Sequence, residues 1–407
     1  MWVYRPEPYL RDPLRLARTA REATGAAFTL LGGRSEVADG AADIEVAAAE
    51  TVGSGVLSGA EAAWICAQAE AVGAGVVWPA DTRRISWEAH EVFAASGLRV
   101  AAPSAASGED LLRRDASLEA AAAAGVPTPS WRLVSSVTEF LAAFEEFSEA
   151  GAEVCFRPAT REAVRSAGPV NDPVNGSRIG QGWLPGAGFR VVTTELPQMP
   201  HLAGVRGPRV ALAEVLMAME TVSRFEPLLV APYLPAQAAT VHVLRDDQGR
   251  VAGCVPVFSE NPDGAAGWEG VAGQVRVRWI PGQNLLERSR LSELPDPADL
   301  VEEPEQVVAR AVASYAAATV DELGLPWLSS VSLRAGRGPT SGWVVTGASA
   351  GPGPTLAAAA AAGMDLVGAL MGLMTGAEVD QVSANVCRDS VAGRTLRAIP
   401  AYTTVSS

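Results

Sequence analysis

The sequence predicts a mixed fold, in which an N-terminal parallel α/β domain precedes a region of α+β structure. Up to Ser104, strand-like and helix-like segments alternate, which is typical of a parallel sheet with crossover helices. From Leu228 onwards, strand-like segments follow one another directly, which indicates antiparallel hairpins. Because 407 residues exceed what one core usually holds, we expect more than one packed unit, namely an α/β domain at 1–105 and an α+β region at 106–376, followed by a tail at 377–407.

The N-terminal domain is predicted from short apolar segments and the capped helices between them. Short apolar runs that end in a turn residue are typical of buried strands. The first of the two helices begins at a Ser that can cap it and ends at a Gly. The predicted strands are AAFTLLGG, ADIEVAAAE, GVVWPA and LRVAAPS, and the predicted helices are SGAEAAWICAQAEAVG and ISWEAHEVFAASG.

The α+β region is predicted from four helices and seven strands. The helices are expected over Ala105–Ala124, from Ser135 or Ser136 to Gly151, over Arg209–Arg224 and over Glu305–Gly324. The strands are expected at EVCFRPA, PLLVAPYL, ATVHVLRD, RVAGCVPVF, QVRVRWIP, SSVSLRAG and GWVVTGAS, with DDQG as a hairpin turn. Residues 163–188 are rich in Gly, Pro and Asn and predict a long loop, and an Ala-rich stretch after Pro354 predicts closing helices.

Composition and charge exclude several classes of function. The net charge of −14 and a pI near 4.8 argue against nucleic-acid and anionic-membrane binding, since both require positive charge. No apolar run long enough to span a bilayer is present, and the N-terminus lacks the apolar core of a signal peptide. The four cysteines are far apart and form no metal-type pair. We therefore expect a cytoplasmic protein with free thiols.

Four segments together resemble the ATP-grasp superfamily, in particular the carbamoyl-phosphate-synthase-like carboxylate–amine ligases. The segments are GVVWPADTRRISWEAHEVFAASGLRVAAPS, RRDASLEAAAAAGVPTPSW, EVCFRPAT and LLVAPYLPAQAATVHVLRDDQGRVAGCVPVF. Their order and spacing carry the resemblance, which extends from Ala26 to Gly376. It implies an ATP-grasp fold, with ATP held between two α+β halves and consumed in forming an acyl phosphate.

The resemblance implies two cationic phosphate contacts, at positions where this chain has arginine. Arg114 and Arg157 stand where the family has its two nucleotide-binding lysines, and the chain contains no lysine at all. A guanidinium keeps the charge and can bind phosphate with two hydrogen bonds, so phosphate contact is one interpretation and a salt-bridged arginine the other. Arg276 and Arg278 alternate with valines, so they either line a cleft for an anion or lie on a solvated sheet face.

The positions that the resemblance assigns to metal-binding and ribose-binding acids lack carboxylates. The corresponding residues are Thr346, Ala348, Ser349 and Ala350 for the family's Glu-x-Asn-Pro-Arg segment, Ser332 on the preceding strand, and Pro232 and Ala238 near the hinge. A general loss of acids does not explain this, because the chain carries 46 Asp and Glu residues. Since Mg²⁺ prefers carboxylate oxygens, the sequence argues against a magnesium site.

One motif suggests a different enzyme class, and two observations exclude it. VVTGASAGPGPT, from Val344 to Thr355, resembles the glycine-rich turn with which short-chain dehydrogenases hold a dinucleotide. That turn follows the first strand of its fold, whereas here it comes near the end of the chain. The lysine-free composition also excludes the Tyr-x-x-x-Lys pair of those enzymes.

Two further side chains share the predicted site strands. Cys155 lies two residues before Arg157 and therefore on the same strand face, where packing is favoured over a role as nucleophile. His242 occupies a hairpin position, where cross-strand packing and substrate binding are both open. The other two histidines, His90 and His201, form no cluster with it.

Two functions follow from these observations. In the first, the protein is a pseudoenzyme that keeps the ATP-grasp fold and a nucleotide- or anion-binding pocket built on Arg157 and Arg114. Its partners are then a small-molecule or nucleotide ligand and a protein partner or a second copy of itself. In the second, it is a working ATP-dependent carboxylate–amine ligase whose metal is held by other acids, such as Glu260 or Asp263.

Overall fold

A computed structural model of the chain contains three β-sheets with helices packed on them. It describes residues 2–3, 29–32, 45–48, 57–79, 85–104, 107, 113–160, 190–194, 209–221, 225, 227–234, 237–259, 273–287, 304–336, 342–351, 355–386 and 394–398. The predicted loop at 163–188, His201, Glu260 and Asp263 lie outside these residues. Within the described residues, no helix is long and apolar enough to cross a membrane.

The first sheet is parallel and has the strand order β3-β2-β1-β4-β5. Its elements are β1 (Trp2–Val3), β2 (Thr29–Gly32), β3 (Glu45–Ala48), α1 (Gly59–Ala71), β4 (Val76–Pro79), α2 (Trp87–Ser96) and β5 (Arg99–Val100). The predicted parallel α/β domain is confirmed. Ser58 caps α1 in a capping box with Glu61, and Ser86 caps α2 by accepting from the Ala89 amide at 3.1 Å.

The sequence analysis missed β1, which is the central strand of this sheet. Trp2 and Val3 pair with β2 on one side and with β4 on the other. A strand of two residues is too short to show a period-2 pattern. The charged residues Arg5 and Glu7 follow it, so the segment does not read as an apolar strand.

The second, central sheet has the order β6-β10-β7-β8-β9. Its elements are α3 (Arg114–Ala123), β6 (Arg132–Val134), α4 (Val137–Glu149), β7 (Val154–Pro158), β8 (Arg190–Thr193), β9 (Arg209–Ala211), α5 (Leu212–Thr221) and β10 (Leu228–Pro232). Ser136 caps α4 by accepting from the Glu139 amide at 3.2 Å, and Gly151 follows the helix with a φ of 77°.

The helix predicted over Arg209–Arg224 begins three residues later than expected. Residues 209–211 form β9, which pairs in parallel with β8. The pairing places Val210 opposite Val192. Residues 209–211 therefore form backbone hydrogen bonds with β8 instead of continuing the helix toward its N-terminus. Such tertiary pairing is not visible in local helix propensity.

The third sheet is the largest and has the order β16-β15-β11-β12-β13-β17, with β14 paired to β12. Its strands are β11 (Ala238–Arg245), β12 (Val251–Ser259), β13 (Gly273–Val277), β14 (Ile280–Pro281), β15 (Trp327–Ala335), β16 (Trp343–Ala350) and β17 (Arg394–Ala398). Its helices are α6 (Pro304–Glu322), α7 (Leu356–Ala361), α8 (Leu366–Met374) and α9 (Val379–Asn385). The DDQG hairpin turn is present, and Gly249 takes the φ of 85° that it requires.

The large sheet is covered on both faces. On one face, alternate residues of β11 and β15 pack against α6 and α3. On the other face, α7, α8 and α9 pack at one end of the sheet together with Trp78 and Ala101 of the first domain. β17 pairs with β13, so part of the region predicted as a tail at 377–407 belongs to this sheet. The domain boundaries themselves stay a prediction.

The central sheet has a separate core. β6, β7, β8 and β10 pack their apolar residues against α4 and α5, and no residue of this core belongs to the cores of the large sheet. Phe140 of α4 is fully buried there and meets Phe156 of β7 edge to face, with ring centroids 5.5 Å apart.

We predict that Phe140→Ala destabilises the central unit by about 3–5 kcal/mol, because it removes a fully buried ring and leaves a cavity. The free energy of unfolding would be measured by urea denaturation. The control is Leu133→Ala, since Leu133 is 46% exposed and its loss should change stability by less than about 0.5 kcal/mol. Equal effects of the two substitutions would contradict the assignment of this core.

Candidate functional site

The candidate site lies between the central sheet and the large sheet. Along β7, Val154, Phe156 and Pro158 are buried, and Val154 and Phe156 pack in the central core. Because side chains alternate along a strand, Cys155 and Arg157 lie on the opposite face, away from α4 and α5. That face forms one wall of the site.

Arg157 reaches across to the large sheet. Its Nη2 donates a hydrogen bond to the backbone carbonyl oxygen of Thr346 on β16. A Cβ atom at Gly347 would lie 3.7 Å from the same Nη2, so the guanidinium group faces this stretch of β16. Burial lowers the pKa of Arg157, because desolvation disfavours the charged form. The charge is retained, since the ordinary pKa of arginine is far above neutrality.

The opposite wall is one face of β11, β15 and β16. Register pairs place Ser330 beside His242 and Ser349, and Ser332 beside Thr240 and Gly347. The alternate residues Val241, Val331 and Ala348 belong to the core against α6 and α3. The face toward Arg157 is therefore formed by the members of these pairs and by Arg334, which is the next residue of β15 on that side.

Of the residues on β16 that the resemblance aligns with metal-binding positions, Ala348 does not face the cleft. Ala348 is 2% exposed in the core behind the wall, and Thr346 donates through Oγ1 to the Ser332 carbonyl oxygen at 3.1 Å. The strand register shifts between Ser332 and Leu333, so Gly347 is the residue opposite Ser332. The shift arises from an irregularity in strand pairing, which a motif alignment does not detect. The positions that face the site are Gly347 and Ser349, and neither carries a carboxylate.

The structure brings Arg114 and Arg157 to the same end of the central sheet. The Arg114 amide donates to the carbonyl oxygen of Ala159 at 2.8 Å, two residues beyond Arg157. Arg113, just before it, forms a β-bridge with Thr160. From there α3 runs beneath the large sheet, where the Val345 amide donates to the Pro127 carbonyl oxygen at 2.9 Å.

Arg276 and Arg278 are placed apart from these two arginines. Arg276 pairs in register with Phe258, whose side chain belongs to the core on the α6 side, and forms an ion pair with Glu305 of α6. Arg278 follows β13, and its amide donates to the Pro256 carbonyl oxygen at 3.3 Å. The structure therefore leaves Arg276 on the face opposite to Ser332, bonded to a carboxylate.

Cys155 has the properties of a packed thiol. Its Sγ lies 3.7 Å from the Pro232 carbonyl oxygen, and burial raises its pKa to about 12 although Arg157 and Arg334 act in the opposite direction. A thiol with this pKa is protonated at neutral pH, so it is a poor nucleophile.

Arg334 is a site residue that the sequence analysis missed. Burial lowers its pKa, because desolvation disfavours the charged form, while Tyr233 and Cys155 act on the pKa in the opposite direction. Ser330, Ser332 and Arg334 alternate in SSVSLR, so the period of a strand would have placed Arg334 beside the predicted Ser332.

His242 is fully buried on the same sheet face. Its Nε2 lies 3.0 Å from Oγ1 of Thr355, and its Nδ1 has no hydrogen-bond partner among the described residues. Burial lowers its pKa from 6.5 to about 4, while the contact with Thr355 acts in the opposite direction. The imidazole is therefore neutral at pH 7.

A divalent metal ion in a protein is held by several ligand side chains that lie close together. The described residues contain no group of three or more His, Cys, Asp or Glu side chains that could hold one. Hydroxyl groups and a glycine line the wall at Ser332, Gly347 and Ser349, which does not match the oxygen-rich, anionic sites that Mg²⁺ prefers.

The glycine-rich motif that resembles a dinucleotide turn lies in a strand. Val344–Ala350 are part of β16, an antiparallel strand at the edge of the large sheet. A dinucleotide-binding turn joins a parallel strand to the N-terminus of a helix. The topology therefore excludes that interpretation.

Comparison with known proteins identifies the fold. No protein-family profile matches the chain, and no curated protein matches it. Among solved structures, it is similar to the biotin carboxylase–βγ-ATP complex from Campylobacter jejuni, with a TM-score of 0.55 and 14% identity over 93% of this chain and 71% of that one. The chain therefore has an ATP-grasp fold.

Two other solved structures share the fold, with similar TM-scores and sequence identities. The biotin carboxylase domain of Hydrogenobacter thermophilus 2-oxoglutarate carboxylase, a dimer in complex with MgADP, ADP and bicarbonate, gives a TM-score of 0.52 at 16% identity, covering 92% of this chain and 69% of that one. The L-amino acid ligase from Bacillus licheniformis gives 0.51 at 11% identity, covering 92% and 73%. At these identities the likeness establishes the fold alone.

We predict that His242 makes stability fall with pH below about 6.5. Its pKa is about 4 in the folded protein and 6.5 when exposed, so the unfolded chain binds more protons between these values. The free energy of unfolding should therefore fall as pH falls, by up to about 1.4 kcal/mol per pH unit from this group.

The measurement is urea denaturation from pH 7 to pH 4 for the wild type and for His242→Gln, whose difference isolates the histidine from the carboxylates. His90→Gln serves as a comparison: burial lowers the pKa of His90 in the same direction, but His90 is only half-buried, so its effect on the pH dependence should be smaller. Parallel stability profiles for the wild type and His242→Gln would show that the imidazole is not buried in its neutral form.

Proposed function

Because the chain has the ATP-grasp fold, we propose that it is a pseudoenzyme that binds a nucleotide or another small anion between β7 and the β15–β16 face. In this proposal its ligase chemistry is weak or absent, and it acts as a binding subunit, alone or beside a protein partner. Arg157 and Arg114 contact the anion.

The observation that carries the proposal is the pair Ser332 and Gly347. These residues are register partners on the wall that faces Arg157, and neither can offer a carboxylate to a metal ion. Phosphoryl transfer depends on cations that neutralise the migrating group, and a bound Mg²⁺ contributes several kcal/mol of that stabilisation. A cleft that lacks ligands for Mg²⁺ can still bind an anion, but it has lost the stabilisation that phosphoryl transfer requires.

The charge of the cleft supports binding of an anion. The strands β7, β10, β11, β12, β15 and β16 contain no Asp or Glu, although the chain as a whole carries a net charge of −14. Of their three arginines, Arg245 is bonded to Asp321 of α6, whereas Arg157 faces the cleft. A desolvated guanidinium group attracts anions more strongly than one in water.

The structural neighbours support a nucleotide as the anion. The Campylobacter protein was solved with an ATP compound and the Hydrogenobacter domain with ADP. A ligand bound between the same two sheets here would place its phosphates near Arg157 and the start of α3, where the structure brings Arg114.

The second candidate is a working carboxylate–amine ligase. It is favoured by the two arginines, which keep positive charge at both of the positions that the resemblance assigns to phosphate contacts. Its metal would be held by acids outside the described residues, such as Glu260 or Asp263. The two candidates differ in whether Mg²⁺ strengthens nucleotide binding and whether ATP is consumed.

We predict that ATP binds with an affinity that changes by less than about threefold between excess Mg²⁺ and EDTA, as measured by calorimetric titration. Arg157→Met should weaken this binding by tenfold or more, since a hydrogen bond to a charged group typically contributes about 1.5–3 kcal/mol. Arg157→Lys keeps the charge, so it should weaken ATP binding less than Arg157→Met does. Tight binding that requires Mg²⁺, together with ADP release when amine and carboxylate substrates are added, would establish the ligase instead.

We also predict that the double substitution Ser332→Glu and Gly347→Glu makes ATP binding depend on Mg²⁺. The two positions are register partners, and a Cβ at Gly347 would meet only Arg157, at 3.7 Å. The φ of 159° at Gly347 is one that residues with side chains rarely adopt, so either side chain introduces the same backbone strain, and thermal unfolding must show that the variants fold. The control is Ser332→Gln with Gly347→Gln, which has the same size without the charge. If the Glu pair leaves binding as indifferent to Mg²⁺ as the Gln pair, missing carboxylates are not what excludes the metal.

A further inference from the structure

The cleft wall formed by β11 and β15 consists of paired residues in successive rows. Toward the end of the sheet that α7 and α8 cover, the pairs on this face are Thr240 with Ser332, His242 with Ser330, and Leu244 with Leu328. The first pair is half-buried, and the third belongs to the core against α7 and α8. His242 and Ser330, which are 0% and 5% exposed, therefore form the innermost polar pair of these rows.

The imidazole ring of His242 has one nitrogen with a partner and one without. Nε2 lies 3.0 Å from Oγ1 of Thr355, the residue that precedes α7, and this contact fixes the orientation of the ring. Nδ1 is buried and forms no hydrogen bond with the described residues. A buried polar atom without a partner is costly, and in native proteins such atoms are usually satisfied by water or by a ligand. Nδ1 therefore has a hydrogen bond to offer to a group that enters from the cleft.

The pair formed by His242 and Ser330 is uncharged. Burial lowers the pKa of His242 to about 4, so the imidazole is neutral at pH 7. A neutral imidazole has one donor and one acceptor nitrogen, and a serine hydroxyl group can act as either. An ionised group would lose its water here without meeting an opposite charge, whereas a hydroxyl group of a ligand can both donate to this pair and accept from it.

Arg157 contacts the neighbouring row. Its guanidinium group donates to the Thr346 carbonyl oxygen and faces Gly347, the register partner of Ser332. Ser332 and Ser330 are two residues apart on β15, and a strand rises about 3.4 Å per residue, so the two rows lie about 7 Å apart. An anionic group at Arg157 and a hydroxyl group at Ser330 can therefore belong to one small molecule.

We propose that His242 and Ser330 form an uncharged subsite, which binds a hydroxyl group of the same ligand whose anionic group is bound by Arg157. This inference rests on the proposed function and deepens it by naming the class of ligand. The ligand is a phosphate or carboxylate that carries a hydroxyl group about 7 Å from its charge, as a sugar phosphate does.

The experiment compares ribose 5-phosphate with inorganic phosphate by calorimetric titration in EDTA. Both probes carry the anionic group, and only the first carries hydroxyl groups. We expect ribose 5-phosphate to bind the wild type at least about threefold more tightly, since one hydrogen bond between uncharged groups contributes a factor of this order. Ser330→Ala should weaken ribose 5-phosphate about threefold or more and leave inorganic phosphate within about twofold.

Two substitutions of His242 separate contact with the ligand from a packing role. The amide group of His242→Gln can replace Nε2 in the bond to Thr355 and leaves the position of Nδ1 empty, whereas that of His242→Asn does the reverse. We expect His242→Gln to weaken ribose 5-phosphate about threefold or more and His242→Asn to retain more of the binding.

The matched control is Ser329→Ala, which removes the same hydroxyl group one residue away. Ser329 is fully buried on the opposite face of β15, so its loss should leave the affinity for both probes unchanged. Thermal unfolding tests whether each variant folds, and Ser330→Ala carries the test if neither variant of His242 does.

The outcomes separate this inference from the proposed function. If Arg157→Met weakens both probes while Ser330→Ala and His242→Gln bind ribose 5-phosphate within about twofold of the wild type, the subsite is overturned and the proposed function stands. Loss of binding in His242→Asn alone would also overturn it, because the histidine would then only position Thr355. If the wild type does not prefer ribose 5-phosphate, the inference fails, and the proposed function fails with it only if ATP does not bind either.

Discussion

The hydrogen bond from Arg157 to the Thr346 carbonyl oxygen connects the two sheets that enclose the cleft. It places a half-buried positive charge beside β16, where the sequence resemblance led us to expect acids and which contains none. The charge is compensated in part by a carbonyl dipole, which is weaker than a carboxylate. The proposed binding of an anion without Mg²⁺ rests on this arrangement.

The backbone of the site therefore indicates the fold, whereas its side chains indicate which activity the fold can support. The backbone as a whole has an ATP-grasp fold, in which α3 begins beside β7 and β16 pairs with β15. The side chains at Ser332, Gly347 and Ser349 are those of a neutral hydrogen-bonding surface. A fold supports many activities, so the side chains carry more weight than the architecture in assigning this one.

Much of the fold could be predicted because its elements show their own period and caps. The helix capped by Ser136 and the strand around Arg157 are examples, and their order carried the resemblance to the family. β1 and β9 could not be predicted, because each is short and owes its existence to strands from elsewhere in the chain. The residues of β16 that face the cleft could not be predicted, because they depend on a register shift beside Ser332. The alternation of side chains along β15 would have been enough to predict that Arg334 lies on the same face as Ser332.

The separate core of the central sheet has a consequence for how this protein comes apart. Phe140, Phe156 and their neighbours keep their contacts if the cleft opens, and so do the residues packed between the large sheet and α6. What is lost is mainly polar, such as the Arg157 bond. Such a seam should open at far lower free energy than the whole protein unfolds, so amide hydrogen exchange there would report opening of two intact bodies.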